Sequence, residues 1–231
     1  MDHSIRRLVW VSGLLAAASF VYVLVFLPVQ DPRARARAAG DEGGARAQSV
    51  SEMDSAYRTA VSEFRLRSAE RISEEMAGRF AEQPVSWFNR GLALRRLGQE
   101  QEAHRAWARL LGLIGSMPAE NDRSASRVAY YRGWALLGLG ETGPSVGQFT
   151  EAMDLYLRSL GGAEPVQGEA YNLACYAALA GQTERAMGYW ERALSTGYPD
   201  GASWWAMDPD LDPIRGDPRF SELARRYGYL E

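Results

Sequence analysis

The chain has 231 residues, 46% apolar and 24% charged, with a formal net charge of -3 and a pI of about 5.6. This suits one globular domain with an appendage and offers no broad basic footprint for nucleic acid. All 26 basic residues are arginine, which excludes any chemistry that needs a phosphate-binding or Schiff-base lysine. The only histidines are His3 and His104 and the only cysteine is Cys175, so neither a His/Cys zinc site nor an intrachain disulfide can be built.

Leu8 to Leu27 is a run of 20 residues without charge or proline. At about 1.5 Å rise per residue, a helix of that length spans roughly 30 Å, the depth of a bilayer's hydrocarbon. Trp10 and Tyr22 stand near its ends, Arg6 and Arg7 precede it, and Pro28 stops it. A cleaved signal peptide would have a shorter apolar region and a small-x-small cleavage site. Here the run ends in Val25, Phe26 and Leu27. Residues 1–30 therefore read as an uncleaved single-pass membrane anchor. Arginines are balanced on the two sides, and a short basic N-terminus favours N-in, C-out. The all-arginine usage points to a GC-rich bacterial genome, so the expected location is the inner membrane with an extracytoplasmic (periplasmic) domain.

Residues 31–50 are rich in Ala, Arg and Gly and lack apolar periodicity, as a flexible tether does. Residues 51–83 carry Met53, Tyr57, Val61, Phe64, Ala69, Ile72, Met76 and Phe80 at steps of three to five. That spacing predicts one or two leading amphipathic helices, with nothing but Gly78 to break the stretch before Pro84.

From residue 84 to 200 the chain repeats itself. Registers starting at Gly91, Gly133 and Ala174 each have glycine seven residues on, at Gly98, Gly140 and Gly181. A small residue follows at Ala103, Ser145 and Ala186, an aromatic at Trp107, Phe149 and Trp190, and an apolar residue at Leu110, Ala152 and Ala193. Two antiparallel helices need small residues where their backbones approach, which pairs Gly91 with Ala103, Gly133 with Ser145 and Ala174 with Ala186. The intervening glycine closes the first helix. The aromatic fills the space between one helix pair and the next, because a lone pair cannot bury its apolar face.

This frame resembles the tetratricopeptide repeat, W-x₂-L-G-x₂-Y followed by A-x₃-F and P. Trp87, Gly91, Leu94, Ala103 and Trp107 match in the first repeat, and Ala129, Gly133, Leu136, Ser145 and Phe149 in the second. In the third they are Ala170, Leu173, Ala174, Ala177, Ala186, Trp190 and Pro199. Arg90 and Arg132 replace the usual leucine, and the longer period puts extra residues around Ser116 to Ser126 and Leu160 to Gln167. Residues 201–231 look like the closing segment of bacterial members. Asp208, Asp212 and Asp217 each precede proline, the signature of a capped helix start. Short helices are expected from Pro209 and Pro218, with Phe220 and Leu223 covering the last repeat. The expected architecture is an all-α solenoid of about three helical hairpins plus caps.

Asp208, Asp210 and Asp212 alternate like the start of a calcium loop, but Pro213 and Arg219 stand where glycine and glutamate belong. Cys175 reads as a structural thiol, His104 as a surface residue, and Glu74-Glu75 as a solvated face. No cofactor or metal is expected, and no nucleophile, base and oxyanion set is visible.

The resemblance implies a concave groove, lined by the first helix of each repeat, that takes an extended peptide or a helix. The positions on that face are Phe88, Leu92, Arg95 and Arg96, then Arg127, Tyr130, Tyr131 and Trp134, then Tyr171, Asn172 and Cys175. Their Tyr, Trp and Arg content is that of binding hot spots. The leading expectation is a non-catalytic, membrane-anchored protein-interaction module: a scaffold, assembly factor or chaperone-like adaptor. The alternatives are a permanently assembled structural subunit of a membrane complex and, remotely, a hydrolase with a carboxylate site.

Overall fold

The computed structural model describes residues 49–198 and 205–230. The expected anchor and most of the tether lie outside them. No described helix is long and apolar enough to cross a membrane. The described residues from Val50 onward belong to one compact unit, which is all-helical.

Two helices lead: α1 (Val50–Ser62) and α2 (Leu66–Arg79). Three hairpins follow: α3 (Pro84–Arg96) with α4 (Glu100–Ile114), α5 (Asp122–Gly138) with α6 (Thr142–Ser159), and α7 (Gly168–Leu179) with α8 (Thr183–Ser195). A 3-10 turn (Pro209–Leu211) and the short helices α9 (Asp212–Arg215) and α10 (Pro218–Arg226) close the chain.

Local chemistry sets these boundaries. Pro84 and Pro218 occupy first-turn positions, where a missing N–H costs nothing. Asn121 caps α5 reciprocally with Ser124. Each hairpin turns through a glycine with positive φ, at Gly98, Gly140 and Gly181. The following N–H then reaches back to the helix, from Gln99 to Leu94, Glu141 to Leu136 and Gln182 to Ala177, at 2.8–2.9 Å.

Two expectations are corrected. The leading stretch is broken at Phe64, whose φ of 58° ends α1 with an Arg65 N–H to Ala60 C=O bond. Phe64 consequently lies 66% exposed instead of on the apolar face. The small residues also do a different job from the one expected. A Cβ on Gly91 would lie 2.6 Å from the ring of Trp107, and one on Gly133 would lie 2.6 Å from that of Phe149. Glycine is needed there to admit the aromatic ring, not to let two backbones touch.

Trp107 does sit between hairpins. It meets Gly91 of its own pair and Gly138 of the next, and it stacks on Trp134 with ring centres 6.1 Å apart. At the far end Phe220 lies flat on Trp190 at 4.9 Å, and Leu211, Ile214 and Leu223 join the same core. The C-terminal segment is therefore part of the hydrophobic interior.

Candidate functional site

The inner face of the hairpins is closed by both ends of the domain. From the N-terminal side, Asp54 on α1 accepts a bond from the Asn89 side chain at 2.8 Å. From the C-terminal side, residues 207–210 cross the first helices. Arg96 links the two ends: its guanidinium donates to the Tyr57 hydroxyl at 3.5 Å and to the Met207 carbonyl at 2.8 Å. Burial holds the Tyr57 hydroxyl in its neutral form and pushes its pKa up to about 12.

At the centre are two buried carboxylates. Asp208 accepts from the Tyr171 hydroxyl and, at 3.0 Å, from the backbone N–H of Asp210. Asp210 accepts from the Tyr130 hydroxyl at 2.8 Å and from Trp134 Nε1 at 3.0 Å. These neutral donors compensate only partly for lost hydration, so burial raises the pKa of both acids. In Asp210 the neighbouring charge of Asp208 raises it further, while Arg58 opposes both shifts at longer range. Burial, with Asp210 and Asp208 beside Tyr130 and Asp208 beside Tyr171, likewise pushes up these two hydroxyls.

The expected groove residues thus divide. Phe88, Leu92, Trp134, Tyr171 and Cys175 are buried in the packed interior. Phe88 lies among the rings of Tyr130, Tyr131 and Trp134 at 5.2–6.2 Å. Tyr130 and Tyr131 are half-buried, and Arg127 and Asn172 are exposed, the latter donating to the Tyr156 hydroxyl at 3.0 Å. The reason is steric: an open peptide groove and the acidic C-terminal segment cannot occupy the same aromatic shelf.

One open part of that face remains. A cleft of about 280 Å³ lies between α3 and the closing segment, lined by Leu92, Arg95, Arg96, Met207, Pro209 and Asp212. Arg95 is exposed on its rim, with its guanidinium 5.7 Å from the ring centre of Trp134. No carboxylate pairs with Arg95 among the described residues. Asp212 is held by Arg215 at 3.1 Å. The cleft therefore presents one available cation beside apolar walls.

Cys175 Sγ and one oxygen each of Asp208 and Asp210 lie within 4.8 Å of one another. Both carboxylates already accept hydrogen bonds, and burial beside them keeps the Cys175 thiol protonated. The cluster reads as a hydrogen-bonded core and not as a ligand set. The sequence marks Asp208 as a helix cap, and it does cap the 3-10 turn. The core role of the two aspartates depends on partners 37 to 80 residues away in sequence, and no local signal marks it.

No family model and no curated protein matches the chain. Among solved structures, the MamA RS-1 ArsTM double mutant is similar at 15% identity, over 80% of this chain and 99% of its own, with a TM-score of 0.35. At that distance the likeness carries no statement about function.

Proposed function

We propose that this chain is a membrane-tethered protein-interaction module of the tetratricopeptide type. Residues 8–27 would hold it at a bacterial inner membrane, and the hairpins would present a recognition surface outside the cytoplasm. The observation that carries the reading is the rim cleft, where the Arg95 guanidinium, without an ion pair among the described residues, stands beside Leu92, Met207 and Pro209. Arginine can take a carboxylate bidentately, and its ring contact fixes its approach. The matching partner is a protein segment carrying an acidic residue next to an apolar one. No catalytic role is assigned to the cleft.

The test is crosslinking of the full chain in its native membrane, with Arg95→Glu beside the wild type and Arg185→Glu, on the exposed side of α8, as control. Loss of the captured protein in Arg95→Glu alone, at unchanged melting temperature, is the expected result. Capture of the same proteins by all three forms would sink the cleft as the recognition site.

A further inference from the structure

Six helix ends in this domain use one hydrogen-bond pattern, in which the N–H three residues past the last helical residue reaches back into the last turn. The six donors are Arg65, Gln99, Glu141, Gln182, Tyr198 and Tyr229. In each, the residue before the donor has positive φ. Five of those residues are glycine: Gly98, Gly140, Gly181, Gly197 and Gly228. The sixth is Phe64, at φ 58°. A side chain with a Cβ is strained in that region, and glycine is not. Packing does not explain the exception, because Phe64 is 66% exposed, the most of any large hydrophobic among the described residues. Among these six helix ends, strain is accepted at this one alone, and the ring gains no burial for it.

The acidic residues beside the turn, Glu63, Glu70, Glu74 and Glu75, are each taken up by an arginine, so the charges left without an ion pair among the described residues are positive. Arg65 is paired with Glu63. Beyond them α2 presents Arg67 and Arg71, both exposed, with no ion pair among the described residues. The turn therefore combines a projecting aromatic ring with two free guanidinium groups. Aromatic rings favour the headgroup level of a bilayer, and arginines near the surface favour anionic lipids.

The chain length brings the two together. α1 is 13 residues, about 20 Å, so the turn is that far from Val50. Residues 28–49 separate Val50 from the apolar run, and a flexible chain of that length spans roughly 26 Å on root-mean-square. On the tethering reading, a domain held by such a linker would have the bilayer surface within reach.

We propose that the Phe64 turn, with Arg67 and Arg71, is a membrane-contact surface that docks the domain onto a bilayer carrying anionic headgroups. This rests on the tethering reading above. The ring enters the interface while the guanidinium groups meet phosphate oxygens. The strain persists because a glycine at this position would leave nothing to insert.

The experiment uses the full chain reconstituted in vesicles of phosphatidylcholine alone or mixed with phosphatidylglycerol. Phe64→Cys is labelled with a nitrobenzoxadiazole, which stands in for the apolar ring. Cys175 is buried and stays unlabelled. A blue-shifted emission in the anionic vesicles is expected, reduced by high salt and lost in the Arg67→Glu, Arg71→Glu background. Emission of a water-exposed dye in anionic vesicles, or a shift indifferent to headgroup charge, overturns the proposal. Flotation separates the two readings, since a chain that does not float with vesicles overturns the tether itself. Phe64→Gly is the second variant. It should melt higher than the wild type, and a lower melting temperature would show that the ring serves the fold and would overturn the functional reading of the strain.

Discussion

Replacing Gly91 by alanine puts the aromatic packing to a severe test. In an exposed helix interior this change stabilises by about 1 kcal/mol, because alanine is the better helix former. At position 91 the new Cβ would lie 2.6 Å from two atoms of the Trp107 ring and 2.7 Å from a third. That ring is 1% exposed. It cannot retreat, because Gly138 of the next hairpin meets its other edge and Trp134 stacks on it. Overpacking of this kind costs about 1–3 kcal/mol. Subtracting the propensity gain leaves a net loss of roughly 0–2 kcal/mol, hence up to about 4–8 °C in melting temperature for a domain of this size. Gly147 is the internal control. It lies inside α6 with nothing near its missing Cβ, so Gly147→Ala should gain about 1 kcal/mol. The two substitutions are chemically identical and should move thermal melts in opposite directions. Trp107→Phe combined with Gly91→Ala should cost less than the sum of the two single changes. If Gly91→Ala melts as high as Gly147→Ala, the ring is not held where it has been placed.

Other expectations follow from the closed inner face. Asp210 has a raised folded pKa, so its contribution is fully present below the ordinary carboxylate range and is lost as pH rises through the folded value. The urea midpoint of the wild type should therefore fall more than that of Asp210→Asn between pH 5 and pH 8, and parallel midpoints would refute the burial argument. Arg96→Ala leaves the Met207 carbonyl without its guanidinium donor. It should cost about 1–3 kcal/mol and speed hydrogen exchange at Met207, Asp208 and Asp210, whereas unchanged exchange would mean that Arg96 does not hold the two ends. Removing residues 205–231 strips Leu211, Ile214 and Phe220 from the core around Trp190. The truncated chain should lose cooperative unfolding of α7 and α8 by calorimetry, and an unaltered transition would show the segment to be a dispensable tail.

Much of the hairpin frame was legible because its determinants are local. Pro84 and Pro218 start helices, and Gly98, Gly140 and Gly181 end them, through backbone chemistry that acts within a few residues. Trp107 and Phe149 announced the packing between pairs because they recur at one offset. Phe64 was misread because phenylalanine is not a turn signal, and its spacing suited the apolar face of a longer helix. The burial of several expected groove residues was not legible for a different reason. Trp134 and Tyr171 do belong to the first helices, but the carboxylates that bond them, Asp210 and Asp208, come from the closing segment. Nothing in a repeat pattern records which part of the chain folds back onto the shelf it builds.

The central claim is that the chain's own ends close the inner face, leaving the Arg95 rim as its open portion. Hydroxyl-radical footprinting of the intact protein tests this directly, with oxidation read at each aromatic residue. Phe64 and Tyr227, both exposed, should oxidise readily. Trp134 and Tyr171 should be protected despite their greater intrinsic reactivity, and should become reactive when Asp208 and Asp210 are both replaced by alanine. Trp134 and Tyr171 oxidising in the wild type as fast as Phe64 would mean an open groove and would contradict the closure.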